Sequence, residues 1–544
     1  MKGKLVMRRT IIAACLAALV APAQADDREE LEALRQTTLK LVEILVQSGI
    51  LTKEKADEML REARRSAQSS TAAAATQGAQ GTAPRVVRVP YVPEMVRAQI
   101  KEEIRSEVME QAERERWAVA GSVPDWTRGV KLSGDLRLRQ QRVYQSKDNS
   151  LGIWDPNDVT ADNTGNYINV QDDYSQSRLR LRLGVDFKLG GDVSGGARLA
   201  TGSTSNPVST NQTMGQNGNR YTVTLDRAFL KYGSFPLPLL PSSGFGATMA
   251  DVVAGRIANP WLSTDLVWDE DLAFDGIAAI LRPRLHDTAL GVVTLGAFPL
   301  QDLGCDAIHG CSKDKRLYAG QFGFDYRPND QQRLRAGLAY YEYQGITPEP
   351  DAFDDSIGTR TAPLGFRQKG NTSLPVFDAA GTANALGILP AYKQEAPVAD
   401  FKLLNLTAVY ETKLWDPLGL VFTADWVKNI GYDRAKVEQR LGYEQEERTK
   451  GALASMQFGY PKPRDRGDWN VSFGYKYLQR DAVLDSFTDS DFHLGGTNAK
   501  GWILGGTYGL ARNTTFRMRW LTSNEIDGPE LANDVLQLDL NASF

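Results

Sequence analysis

The chain closes on Leu536-Gln537-Leu538-Asp539-Leu540-Asn541-Ala542-Ser543-Phe544, where apolar side chains alternate up to the aromatic end. Successive side chains of a strand point to opposite faces, so this ending is a two-faced strand. At the edge of an open sheet such a strand leaves a row of unpaired N–H and C=O groups. A cylinder whose last strand pairs with its first has no edge, and in lipid every backbone group must be paired. The ending therefore predicts a transmembrane β-barrel with one face toward lipid and the other toward water.

The body of the chain supports this. From Lys131 onward the apolar period is 2, and sixteen segments follow it: 131–144, 177–189, 193–202, 222–232, 250–257, 276–284, 289–298, 316–327, 332–343, 401–412, 418–428, 450–460, 468–479, 499–509, 514–523 and 533–544. The connections alternate in length. Gly190-Gly191-Asp192, Asp416-Pro417 and Arg512-Asn513 are tight turns, whereas 145–176, 203–221, 258–275, 299–315, 344–400, 429–449, 480–498 and 524–532 are longer and polar. Short turns on one rim and long loops on the other are the asymmetry of an outer-membrane barrel. An even strand count puts both barrel ends on the short-turn, periplasmic rim. Aromatic residues near strand ends, among them Tyr144, Phe229, Tyr232, Tyr410, Trp426, Trp502 and Trp520, fit girdles at the two lipid–water boundaries. A soluble antiparallel sheet with one face in a core is the competing reading.

Residues 1–125 read differently. Lys2, Lys4, Arg8 and Arg9 precede the apolar run Ile11 to Val20 and the small-residue site Ala23-Gln24-Ala25, which predicts a signal peptide over 1–25. Its four positive charges take the formal net charge from −4 to −8 when it leaves. A lipoprotein cleavage at Cys15 is the alternative. Leu31, Leu34, Thr38, Leu41 and Leu45 form a short heptad stripe, and Ala56, Met59, Leu60 and Ala63 follow a Thr52 cap, predicting a helical or coiled-coil segment over 26–65. An Ala/Ser/Thr/Gln/Gly-rich linker covers 66–90. Val96, Ile100, Ile104 and Val108 mark a second helical segment over 91–125, before the barrel at 126–544. These helices are expected in the periplasm, as an oligomerising or wall-tethering neck that touches peptidoglycan, or as plain helices beneath the barrel. No other stretch approaches the ~20 apolar residues of a helical span, and the acidic balance does not favour nucleic acid.

The chemistry-bearing residues are few. Cys305 and Cys311 flank Asp306-Ala307-Ile308-His309-Gly310 and are placed to form a disulfide in an oxidising compartment. A metal site there has two cysteines, His309 and no clear fourth ligand. His286, His309 and His493 are the whole histidine complement, and none has Ser/Asp spacing that suggests a triad. No enzyme activity and no cofactor are expected. A calcium ion in the acidic loop near Asp351, Asp354 and Asp355 lacks a complete ligand pattern.

The strand polarity is more informative. Arg137 and Arg139 alternate with Leu136 and Leu138; Arg178, Arg180 and Arg182 with Leu179, Leu181 and Leu183; Arg333 and Arg335 with Leu334 and Ala336; Arg517 and Arg519 with Phe516, Met518 and Trp520. An Arg facing lipid costs roughly 2–4 kcal/mol near the midplane, so all nine are expected in the lumen. Asp135, Asp186, Asp325, Asp425 and Asp539 join them, and cations and carboxylates on different wall sectors imply a transverse field with a preference for small anions. The long insertion 344–400 is the expected constriction or outer cover.

Leu-Ser-Gly-Asp-Leu-Arg-Leu-Arg at 132–139, following Val123-Pro124-Asp125-Trp126, the signal, the helical neck and the terminal Phe544 together resemble the putative-porin family of Gram-negative outer membranes. The resemblance implies passive diffusion of small hydrophilic solutes through a water-filled barrel surrounded by lipid and lipopolysaccharide. It implies recognition of Phe544 by the barrel-assembly machinery, and a homotrimer. A substrate-specific channel is a variant of this reading. A TonB-type receptor fits poorly, since the first hundred mature residues are helical and linker-like rather than a plug. An outer-membrane enzyme or a wall-tethering structural protein are the alternatives from other classes.

Overall fold

The computed structural model describes residues 129–153, 167–236, 248–302, 305–306, 310–311, 313–347, 364–378 and 391–544. The signal, the neck and its linker, and the acidic residues Asp351, Asp354 and Asp355 lie outside these residues. Among the described residues sixteen antiparallel strands close into a barrel: β1 (Val130–Gln145), β2 (Tyr174–Gly190), β3 (Val193–Thr201), β4 (Val223–Pro236), β5 (Met249–Ala258), β6 (Ala273–Arg282), β7 (Ala289–Gln301), β8 (Lys315–Asn329), β9 (Gln332–Gln344), β10 (Lys402–Trp415), β11 (Leu418–Asn429), β12 (Lys450–Gly459), β13 (Trp469–Leu478), β14 (Ala499–Ala511), β15 (Thr514–Glu525) and β16 (Ala532–Ser543). Each pairs with its sequence neighbour, and β16 closes on β1 from Asp135↔Ser543 to Gln145↔Asn533. Two short pieces, Gln212–Thr213 beside β2 and Arg284–His286 beside β7, extend the same sheet.

The seam shows how the chain end is used. Phe544 donates its N–H to the Gly134 carbonyl at 3.0 Å and accepts from the Gly134 N–H at 3.2 Å. Its ring lies over Gly134, where a β-carbon would stand 2.4 Å from the ring edge. Glycine at that position lets the terminal aromatic cover the first strand from outside.

The outward face is apolar at every seam. Leu132, Leu136, Leu138, Leu183, Phe322, Leu338, Leu406, Phe422, Trp426, Phe473, Trp502, Phe516, Met518 and Leu540 are all exposed, each two residues from the next outward position. The turn Gly190-Gly191-Asp192 holds two glycines at positive φ (114° and 56°), which is why glycine stands there. The aromatic girdle has one exception. A register shift between Arg198 and Leu199 leaves Asp226 as an extra residue on β4, and Phe229 turns inward to pack on the internal core while Leu230 and Tyr232 stay outside.

The interior is not uniformly polar. On the long-loop half of β7–β11 the inward side chains Phe298, Leu317, Ala339, Tyr341, Tyr343, Leu403 and Val427 are buried. They pack against Trp261, Leu266, Val267, Trp268 and Leu272 of the β5–β6 loop and Ala482, Val483 and Leu484 of the β13–β14 loop. A soluble-type core therefore sits inside one side of the cylinder, formed by loops that fold inward.

Candidate functional site

The inward positions of β15, β1 and β2 carry guanidinium groups at two-residue spacing, β16 sets Asp539 between them, and the register lines them up. Asp135 stands opposite Arg182, Arg137 opposite Arg180 and Arg139 opposite Arg178. Across the seam Arg139 meets Asp539, which meets Arg517. Arg198 on β3 and Arg227 on β4 continue the sector in register with one another. Seven of the nine arginines expected in the lumen therefore gather on one wall. Arg333 and Arg335 stand apart on β9, eight strands from β1. There Arg333 donates to Asp325 at 2.9 and 2.6 Å and Arg335 to Glu411 at 2.5 Å, close to the short-turn rim.

Two loops press onto this wall from inside. The β5–β6 loop (259–272) starts at the far wall. The Gln321 amide there accepts from Leu262 N–H and donates to its carbonyl, both at 2.8 Å, and Thr264 donates to Asp425 at 2.6 Å. The loop reaches the basic wall at Glu270 and Asp271. Asp271 lies 3.2 Å from Arg182 and 3.5 Å from Arg180 and accepts from Thr210. Glu270, whose side chain is 64 % exposed, lies 3.6 Å from Arg180 and 3.8 Å from Arg137. The β13–β14 loop (479–498) delivers Asp491, which accepts from Arg139 at 3.0 Å and Arg519 at 3.1 Å. The other edge of the Arg139 guanidinium holds Asp539 at 2.7 and 3.0 Å.

The 364–378 part of the long insertion clamps the second loop. Arg367 forms a two-point pair with Asp485, both bonds 2.7 Å, with the two side chains only 1 % and 0 % exposed. Thr372 donates twice to Asp481, and Asn371 bonds the Val483 carbonyl and the Asp485 N–H. Burial raises the Asp481 carboxyl to about 6 despite the Thr372 hydrogen bonds. Burial and the neighbouring Asp489 carboxylate push Asp269 well above the carboxylate range. Asp491 moves the other way: although burial opposes its charge, Arg139 and Arg519 hold it far below that range. His493 is fully buried against Ser523 and Glu525, and burial together with Lys369 keeps it neutral.

The charge balance of the sector is set by these contacts. Arg137, Arg139, Arg178, Arg180, Arg182, Arg198, Arg227, Arg517 and Arg519 face Asp135, Asp226, Glu270, Asp271, Asp491 and Asp539. Asp135 takes Arg180 and Arg182, and Asp226 takes Arg198. Among the described residues Arg178, Arg227 and Arg517 make no ion pair and no side-chain hydrogen bond, and Arg137 has Asn211 at 2.6 Å as its closest polar partner. The remaining expected acids fall elsewhere: Asp186 lies opposite Lys131 toward the short-turn rim, and Asp425 supports the far-wall loop beside Asn405. Sequence reasoning missed Arg198, Arg227, Glu270, Asp271 and Asp491. The apolar content of Trp261-Leu262 and Leu266-Val267-Trp268, in a segment read as a polar outer loop, was the available signal that this loop turns inward.

Cavities of about 490 Å³ and 830 Å³ flank the constriction. The first lies toward the long loops, with Arg178 in its lining. The second lies toward the short turns, lined by Arg180, Arg182 and Arg198 with Lys462 and Arg464. Among the described residues no group of three or more His, Cys, Asp and Glu is placed to hold a metal. Cys305 and Cys311 stand opposite one another in a two-strand backbone ladder.

Residues 35–544 match the family described as Putative porin. The chain belongs to that family. It is an outer-membrane β-barrel of porin type. Its fold is similar to that of OprB of Pseudomonas putida (12 % identity, TM-score 0.42, 77 % of this chain and 95 % of that one). It is also similar to the outer membrane channel DcaP of Acinetobacter baumannii (11 %, 0.38, 76 % and 97 %) and to an anion-selective porin from Comamonas acidovorans (11 %, 0.37, 76 % and 99 %). No curated protein matches the chain.

Proposed function

We propose that this putative-porin chain is a passive diffusion channel for small hydrophilic solutes and that it favours anions. The observation that carries the sign is the basic sector, in which nine guanidiniums face six carboxylates and Arg178, Arg227 and Arg517 lack ion-pair partners among the described residues. A fixed excess of cationic side chains in a narrow, low-dielectric passage raises the local concentration of anions. The internal core on the β7–β11 side leaves this sector as the polar part of the constriction. Reversal potentials in a potassium chloride gradient test the sign, and a cation preference overturns it.

The finer expectations belong to the same reading. The segments 26–65 and 91–125, joined by the linker 66–90, are a periplasmic neck that supports a homotrimer or contacts peptidoglycan. Phe544 is the assembly signal, supported by its place on the closing seam. Cys305 and Cys311 form a disulfide, supported by their backbone register, and resistance of both thiols to alkylation before reduction is its readout. Deleting the insertion 344–400 raises conductance, because its 364–378 part clamps the β13–β14 loop inside the lumen.

A further inference from the structure

The cavity on the long-loop side of the constriction contains more than charge. Its cations differ in what they are free to do. Arg367 is spent on Asp485, and Lys369 donates to the carbonyls of His493 and Gly495. Arg178 has no such partner among the described residues, and its Nε is buried without a hydrogen bond. Around it stand groups with spare donors. The Gln176 amide makes no hydrogen bond among the described residues, and Asn206 uses its oxygen to cap Val208 N–H, leaving its nitrogen open. Tyr174 and Phe366 add two aromatic rings to the same lining, and Ser209 adds a buried hydroxyl.

A planar guanidinium with open amides and aromatic faces suits one chemistry. The guanidinium takes a carboxylate through two parallel bonds. Amide side chains pair with neighbouring hydroxyls, which both donate and accept. An aromatic face covers the C–H side of a sugar ring. A volume of about 490 Å³ is within the range of small-ligand sites and leaves room for one such ring with water. A simple inorganic anion would use Arg178 and leave the amides and rings idle, and a neutral sugar would leave the guanidinium unpaired. We propose that this cavity is a capture site for sugar acids, monosaccharides bearing a carboxylate, with Arg178 holding the carboxylate and Gln176 and Asn206 reading ring hydroxyls. The inference rests on the diffusion-channel reading for its direction: solute captured here passes next to Arg137 and Arg180.

Two measurements on the full-length protein separate this inference from the channel reading. In planar bilayers, glucuronate is added to each side in turn while chloride current is recorded, with acetate and glucose as controls. Block by glucuronate from one side only, with an apparent constant about tenfold below either control, is expected from a charge-assisted contact plus hydroxyl pairing. Equal block by acetate overturns the site while leaving the channel standing. Isothermal titration of glucuronate into the detergent-solubilised protein reads binding without conduction. Heat of binding in a preparation that passes no current upholds the site and overturns the channel reading, and current without binding does the reverse. Arg178→Gln weakens glucuronate binding about tenfold or more. Gln176→Ala weakens glucuronate and leaves acetate unaffected, and it keeps the inference testable if the arginine variant fails to insert. Unchanged glucuronate affinity in the Gln176 variant overturns the hydroxyl-reading role.

Discussion

Trp268→Ala tests whether the loop at 259–272 is held in the lumen by packing. The Trp268 side chain is 2 % exposed. Its ring meets Phe274 edge-on at 5.0 Å and Tyr341 at 5.2 Å, and it lies 6.2 Å from both Tyr343 and Phe487. Those partners come from β6, from β9 and from the β13–β14 loop, so one side chain ties both inward loops to the wall. Truncating a buried Trp costs about 3–5 kcal/mol, of which each edge-to-face pair supplies roughly 0.5–1.5 kcal/mol beyond area. Each 1.4 kcal/mol is about tenfold, so the docked-to-released ratio of the loop falls by about a hundredfold or more. The barrel itself keeps its backbone ladder and its outward face. The expected record is a larger and noisier single-channel current in Trp268→Ala, with brief excursions to the wild-type level, while heat-dependent gel mobility shows an intact barrel. Wild-type conductance and noise in a folded Trp268→Ala barrel would refute the packing argument.

Four other outcomes follow from the same contacts. Arg367→Met leaves Asp485 buried without its partner and costs about 3–5 kcal/mol, whereas Arg367→Met with Asp485→Leu recovers most of it; trypsin cleavage of the β13–β14 loop in intact vesicles reads the difference. Asp481 has a carboxyl pKa raised from 3.8 to about 6 by burial, so the docked clamp binds more protons than the released one. Its contribution is complete below pH 3.8 and is lost as pH rises through about 6, so loop protection from protease is greater at pH 5 than at pH 7.5, and Asp481→Asn flattens that slope. Arg139→Met leaves Asp539 without its ion pair and Asp491 with Arg519 alone, and destabilises the folded barrel by about 3–5 kcal/mol in a urea titration. Arg517→Gln, with no ion pair to break among the described residues, lowers the chloride preference in reversal-potential measurements with little change in the same titration.

Sequence period carried most of the fold. The two shortest segments, 250–257 and 276–284, correspond to Met249–Ala258 and Ala273–Arg282. A one-residue slip would put a whole strand's apolar set in water, so the boundaries had little freedom. The arginine faces were legible for the same reason: Leu136 and Leu138 outside dictate Arg137 and Arg139 inside. The partners of those arginines were not legible. Asp491 and Asp539 are 48 residues apart in number yet share one guanidinium, and nothing local in Asp489-Ser490-Asp491 distinguishes it from a solvated loop acid. Alternation also fails where both faces are apolar. On β9, Leu338 and Tyr340 face outward while Tyr341 and Tyr343 face inward, and the pattern reports a strand without reporting that its inner side packs against a loop. Phe229 was misplaced because an extra residue at Asp226 shifts parity, which period 2 cannot anticipate.

The internal core explains why the arginines divide into two kinds. A loop carried into a lumen brings backbone polar groups and carboxylates that must be matched. The far end of the β5–β6 loop is matched by aromatic packing and by Gln321 and Asp425, and its near end meets the basic wall at Glu270 and Asp271. Each arginine that secures a loop is lost to the field seen by a passing solute: Arg139 carries two carboxylates, and Arg182 shares Asp135 and Asp271. Arg178, Arg227 and Arg517 make no ion pair among the described residues, so no paired carboxylate offsets their charge. A wall of nine guanidiniums is therefore larger than a selectivity filter needs, because most of them contact the loops folded into the lumen, and the anion preference proposed above rests on the remainder.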